Sequence, residues 1–198
     1  MSARSVAVIL LVVVTAPRLA LAHGSIQGMG SFYGGMLHPF LVPAHVLVLL
    51  ALGLFLGQQA IVDLPVGFPA FMGGLATGLL VAAFGIVSLP SLAVLALAAI
   101  LGVVVATAAA LPPALCAALT IGAGLAVGID SPPDALTVGG RAAALIGTGL
   151  SAILGVFYAA TLVERLRRGW QRILVRIFGS WICASAFLVL ALALAGKA

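Results

Sequence analysis

The sequence predicts an all-α integral membrane protein in which a cleavable signal peptide precedes a bundle of six transmembrane helices. Hydrophobic residues make up 64% of the 198 residues and charged residues only 7%, whereas soluble domains carry about 25% charged residues. The mean hydropathy is +1.36. Lipid offers no water to exposed backbone groups, and the long Ala/Leu/Val/Gly runs lack the alternation of a barrel. Helices are therefore the predicted spanning structure.

Residues 1–22 have the pattern of a secretory signal peptide. Arg4 supplies a positive start, a short apolar segment follows, and Ala20-Leu21-Ala22 fits a small-x-small cleavage site. Cleavage at that point makes His23 the N-terminus of the mature chain. The alternative is an uncleaved first helix, which Pro17 disfavours because it interrupts the apolar run well short of a full span.

Residues 23–198 are predicted to form a single transmembrane domain of six helices. Each apolar segment approaches the roughly 20 residues that cross a bilayer core of about 30 Å, and Pro, Gly and Asp mark the breaks. The approximate limits of the helices are 41–62, 67–88, 91–111, 114–130, 139–163 and 177–196. Within them, Gly74-x-x-x-Gly78 and Gly124-x-x-x-Gly128 have the spacing that lets helix backbones approach closely.

The distribution of Lys and Arg predicts the orientation of the helices. Five of the nine basic residues lie within 164–176, and this segment is predicted to be a cytoplasmic loop because such loops retain positive charge. Counting helices back from it places both mature termini outside. We therefore expect a multi-pass protein of the inner (cytoplasmic) membrane. Because the net charge of +5 comes mainly from this one segment, nucleic acid is not an expected partner.

All three histidines, His23, His38 and His45, fall within one short stretch after the leader. Imidazole binds nickel, cobalt, copper and zinc, and polar groups in membrane segments are costly and usually functional. His38 and His45 would lie about 10 Å apart along an ideal helix, so a shared ion requires a broken helix. Pro43 favours a helix start, which leaves His38 in an entry turn and His45 in the first turns. The alternative is two histidines bonded to backbone carbonyls between helices.

His23 and Asp130 complete the set of predicted metal-binding residues. Once N-terminal, His23 offers a free α-amine beside its imidazole, and the two groups can chelate one ion; the alternative is a chance residue in a flexible tail. Asp130 is predicted at the outer end of the fourth helix, on the side of the histidines. Its carboxylate is a candidate ligand, partner for a histidine N–H or proton acceptor, the alternative being a turn residue of Asp-Ser-Pro-Pro.

At the His-Pro segment the chain resembles the HupE/UreJ family of small membrane proteins. The resemblance rests on Ala22-His23-Gly24 after the leader, on His38-Pro39 with His45 at the opening of the first helix, and on the six-helix count. It implies nickel or cobalt uptake for hydrogenase and urease maturation. In the family, a His-Pro pair is followed, after a glycine-bearing spacer, by Asp-His. This chain has Ala44 before His45 instead of the aspartate. We therefore hypothesise that Asp130 replaces the missing carboxylate.

The residues and the resemblance together predict a secondary permease for a divalent transition-metal ion, nickel or cobalt first, with copper and zinc not excluded. The alternative is a non-transporting membrane accessory protein for hydrogenase or urease maturation. The sequence has no Gly-x-x-x-x-Gly-Lys-Ser/Thr motif, so an ion gradient, the membrane potential or downhill flow would drive transport.

Neither an enzyme nor a permanently bound cofactor is predicted. No Gly-x-Ser-x-Gly elbow is present, and His38 and His45 share too short a segment to hold haem between helices. The expected partners are the transported ion, the lipid bilayer and metalloenzyme maturation proteins.

Overall fold

The computed structural model describes residues 30–59, 64–87, 89–133, 135 and 137–196. These residues form seven α-helices and contain no strand, which confirms the all-α prediction. The helices are α1 (Ser31–Leu41), α2 (Pro43–Gln58), α3 (Leu64–Ala83), α4 (Ser91–Thr107), α5 (Pro113–Ile129), α6 (Val138–Arg165) and α7 (Gly169–Ala195). The predicted signal peptide and His23 lie outside the described residues.

Two helices, α6 with 28 residues and α7 with 27, are long and apolar enough to cross a membrane. The number becomes three if α1 and α2, which meet at 75°, are counted as one broken span. Residues 67–83 of α3, together with α4 and α5, are shorter apolar helices. The regular structure of the described residues is thus entirely helical, and it includes helices long and apolar enough to cross a membrane.

The predicted first helix, 41–62, is divided in the structure. α1 ends at Leu41, Val42 is extended with φ −92° and ψ 110°, and Pro43 is the first residue of α2. Proline suits that position because the first N–H groups of a helix have no partner within it, and it disfavours helix at the preceding residue. The predicted helix start at Pro43 is confirmed. The entry turn predicted for His38 is wrong, because this residue lies in the last turn of α1.

α1 contains a proline, and a neighbouring helix compensates for it. Pro39 has no N–H to donate to the carbonyl of Gly35 one turn earlier. That carbonyl instead accepts a bond of 3.0 Å from the buried hydroxyl of Thr148 on α6. Hydroxyls of adjacent helices commonly satisfy backbone groups that a membrane proline frees. The bond therefore fixes α1 against α6.

The predicted loop 164–176 is mostly helical. α6 continues to Arg165 and α7 begins at Gly169, so only residues 166–168 connect them. The prediction of a helix limited to 177–196 is corrected accordingly. Arginine is a good helix former, and a cluster of positive charge marks where a helix leaves the membrane rather than where it ends.

The two Gly-x-x-x-Gly segments face each other between α3 and α5. A Cβ on Gly124 would lie 2.5 Å from the carbonyl oxygen of Phe71, and one on Gly78 would lie 2.6 Å from that of Leu125. No side chain fits in these spaces, so glycine is required for the contact. The predicted close approach is confirmed, and it fixes α5, with Asp130 at its end, against α3.

α2 is the central helix of the bundle, and it connects two polar ends. It packs mainly against α4 and α6, while α3 pairs with α5, α4 with α7 and α1 with α6. At the start of α2, His45 contacts Asp130, which follows α5. At its end, Gln58 bonds to Val105 of α4. We call the first the histidine end (His38, His45, Asp130) and the second the arginine end (Gln58, Gln59 and 164–176).

Candidate metal-binding site

His45 and Asp130 meet at the histidine end although 85 positions separate them in the chain. Nε2 of His45 lies 3.1 Å from Oδ2 of Asp130. The histidine side chain is fully buried and that of the aspartate is 15% exposed. His45 occupies the first turn of α2, and Asp130 is the C-terminal cap of α5, its own N–H bonded to the carbonyl of Ala126 at 3.0 Å. Two of the predicted site residues are therefore in direct contact.

The ring of His38 lies against the ring of His45. Their centroids are 5.3 Å apart and their planes are inclined by 63°. On one continuous helix these residues would be separated by about 10 Å along the axis. The 75° bend between α1 and α2 turns the last turn of α1 over the first turn of α2. The break at Val42 is therefore what brings the two imidazoles together.

The carboxylate of Asp130 determines which nitrogen of His45 is left for other partners. An ionised carboxylate only accepts hydrogen bonds, so with Asp130 ionised Nε2–H donates to Oδ2 and Nδ1 keeps its lone pair. Nδ1 is buried, and no hydrogen-bond partner for it lies among the described residues. A buried polar atom in that state costs about 1–3 kcal/mol. Nδ1 of His45 is thus suited to accept a hydrogen bond or to bind a cation.

The two histidines lie among helix ends of both polarities. α1 ends just before the bend, and α5 ends just before Asp130. The C-terminal end of a helix carries partial negative charge on its unbonded carbonyls, and interrupted membrane helices place such ends at ion sites. His45 itself lies in the first turn of α2, where the helix end is partially positive. The carboxylate of Asp130 is therefore the group that adds negative charge beside the two imidazoles.

The structure does not assemble a complete set of protein ligands. Within the described ranges, no group of three His, Cys, Asp or Glu side chains is placed to hold one metal ion. Asp130 is bonded to His45 and so has the geometry of the second predicted role, a partner that orients a histidine. His23 lies outside the described residues.

Sequence reasoning missed two buried hydroxyls that support this end of the bundle. Thr148 bonds to α1 as described above, and Ser131, next to Asp130, donates to the carbonyl of Val127 at 2.6 Å. The only sequence signal was a small polar residue in an apolar helix. Without the pairing of α1 with α6, that signal does not single out Thr148 from the other hydroxyl residues.

One comparison with known proteins gives a match. The family model described as HupE / UreJ protein matches residues 10–189, which is well over half of the chain and includes the histidine end and most of α7. No curated protein and no solved structure matches the chain.

Proposed function

Because the chain belongs to the HupE/UreJ family, we propose that it is a secondary permease whose substrate is a divalent transition-metal ion, nickel or cobalt. The family is associated with nickel and cobalt transport or with accessory functions for hydrogenase and urease. One observation carries the proposal: the 3.1 Å contact between His45 and Asp130, with a second imidazole, that of His38, beside it.

The substrate ion is captured at the histidine end. Nε2 of His45 is engaged by Asp130, so Nδ1 faces the ion, and a carboxylate on the far nitrogen fixes the orientation of the ring. His38 supplies the second nitrogen. Nitrogen ligands suit nickel and cobalt and also copper and zinc, so the family supports the choice of metal. His23 belongs to the proposed ligand set on the sequence argument alone.

Six spans and a fixed orientation follow from the same proposal. α2 to α7 run alternately between the histidine end and the arginine end, as expected if each crosses the membrane once. The shortest of them, α2, has 16 residues and is about 24 Å long, and a bilayer thins locally around short helices. The arginine end is cytoplasmic by its positive charge. The histidine end, His23 and the C-terminus are then outside the inner membrane.

Transport requires the helices to move. Between His45 and Gln58, α2 carries only apolar residues, and Leu52 and Phe55 at its middle are fully buried. In this conformation α2 therefore offers an ion no polar group between its two ends. A rearrangement that exposes the site first to one end and then to the other is the mechanism that interrupted membrane helices support.

The apolar middle of α2 also favours the second candidate, a non-transporting accessory protein that holds metal for a maturation partner. Vesicles that contain only this protein, loaded with radioactive nickel from outside, separate the two. A permease accumulates nickel in the lumen above the amount of protein present, and an ionophore releases it. Binding that saturates at one or a few ions per chain, without luminal nickel, would establish the accessory function instead.

A further inference from the structure

The arginine end contains a cavity of about 660 Å³. It lies between the C-terminal ends of α2, α4 and α6 and the first turns of α7. Its polar and charged side chains are those of Gln58, Gln59, Glu164, Arg167, Arg172 and Arg176. Three cations against one carboxylate give the lining side chains a net charge of +2, which exceeds the partial negative charge of about −0.5 at each of the three helix C-terminal ends. The cavity therefore repels a metal ion and attracts an anion.

Two of the lining side chains are held in place by backbone carbonyls at the end of α4. Nε of Arg176 donates to Ala106 at 2.8 Å, and Nε2 of Gln58 donates to Val105 at 3.2 Å. A guanidinium has five N–H donors, and the bond to Ala106 uses one of those of Arg176. The position of this cation is therefore fixed before any ligand arrives, which lowers the entropy cost of binding.

The length of α7 places the cavity at the level of lipid headgroups. The helix has 27 residues and is about 40 Å long, whereas the bilayer core is about 30 Å thick. Its first two turns, with Arg172 and Arg176, therefore extend into the polar interface. Trp170 and Ile173 in the same turns are more than half exposed, at 57% and 56%, and tryptophan is the residue typical of that interface.

We propose that this cavity binds the phosphate group of an anionic phospholipid. Arg167 and Arg172 contact the phosphate oxygens together with the fixed Arg176, because planar guanidinium groups match a phosphate with paired hydrogen bonds. Trp170 and Ile173 lie beside the glycerol and the upper acyl chains. Free phosphate has the same chemistry, and the position at headgroup depth favours the lipid. The site does not depend on metal binding at the histidine end.

The test measures how much phosphatidylglycerol the purified full chain retains in native mass spectrometry, compared with phosphatidylcholine of the same acyl chains. Replacing Arg167 and Arg172 together by Gln should lower the apparent affinity for phosphatidylglycerol at least about tenfold. Both changes leave the bond of Arg176 to Ala106 intact. The control is Arg165→Gln, which removes one positive charge from the arginine end at a position outside the cavity lining. This variant should change the affinity less than about twofold.

A parallel titration with inorganic phosphate distinguishes the source of the anion. Phosphate that binds the wild type, displaces the lipid and fails to bind the double variant supports the site with a soluble anion as ligand. Replacing both arginines by Lys should restore part of the affinity, which a folding defect would not do. Equal losses in Arg165→Gln and the double variant, or a wild type that prefers neither phosphatidylglycerol nor phosphate, would overturn the proposal.

Discussion

At the scale of single residues, Asp130 contacts His45, and in the proposed function it acts on the ion through that histidine. The structure places its carboxylate on Nε2, the nitrogen that then faces away from the ion. Two arguments led to the hypothesis that this residue from a distant helix joins the histidines: the topology put it at the same end, and the family's carboxylate is missing at Ala44. Whether the carboxylate would be a ligand or a partner of a ligand was open in the sequence, since that depends on an orientation only the folded chain has.

Asp130→Asn should weaken nickel binding about 10- to 100-fold, because the amide keeps the size and an acceptor oxygen but loses the charge that orients and polarises His45. Isothermal titration of the purified protein measures it. Glu164→Gln, the same kind of change at the arginine end, serves as the control and should leave the affinity unchanged. Equal affinity in Asp130→Asn and the wild type would reduce Asp130 to a turn residue.

Thr148→Val should destabilise α1, because it removes the hydroxyl that satisfies the carbonyl freed by Pro39. The expected loss is about 0.6–2 kcal/mol in the free energy of unfolding, the range for hydrogen bonds between membrane helices, and nickel affinity should fall with it since α1 carries His38. Denaturant unfolding in detergent tests the first effect. Thr148→Ser keeps the hydroxyl and should stay close to the wild type. A Thr148→Val variant as stable as the wild type would show that the bond to Gly35 does not hold α1 in place.

At the scale of helices, the bend at Val42 brings the two imidazoles together. Pro43→Ala removes the residue that starts α2 and should let α1 and α2 join into one helix. Pulsed electron paramagnetic resonance between spin labels at the exposed Tyr33 and Leu50, with the native cysteines replaced, should show the distance lengthen toward about 26 Å, and nickel affinity should fall. An unchanged distance would show that packing of α1 on α6 alone sets the bend.

The contact between α3 and α5 should depend on glycine at specific positions. Gly124→Leu places side-chain atoms on the backbone of Phe71 and Leu75, and overpacking of this kind costs about 1–3 kcal/mol or more. Gly122→Leu on the same helix is the matched control, because a Cβ there meets nothing within 4 Å. Thermal unfolding should separate the two variants clearly. Similar melting temperatures would mean that the close approach does not stabilise the bundle.

Helix starts and close helix contacts could be predicted from the sequence where a single residue or a short motif determines them. Pro43 marked the start of α2, and the two Gly-x-x-x-Gly segments marked the tight helix pair. α1 was not predicted, because Gly34, Gly35 and Pro39 all lower helix propensity. Its packing on α6, which includes the bond to Thr148, compensates. The helical start of α7 was missed because a run of arginines was interpreted as a loop.

At the scale of the whole molecule, the two ends of the bundle differ in charge and in the ligand each favours. The histidine end combines two imidazoles and a carboxylate, and suits a metal cation. The arginine end suits an anion and is separated from the first by the buried apolar middle of α2. The sequence predicted this separation of charge through the spacing of its helices, but the contacts between helices far apart in the chain required the fold.

The initial rate of radioactive nickel uptake into vesicles, compared between the wild type and His45→Gln at equal protein, tests the central claim most directly. Capture of the ion at the histidine end predicts accumulation by the wild type and at least about a tenfold lower rate for the variant, with both proteins equally folded by size-exclusion chromatography. Equal rates for the two proteins would contradict it, because nickel would then cross without the buried imidazole at the histidine end.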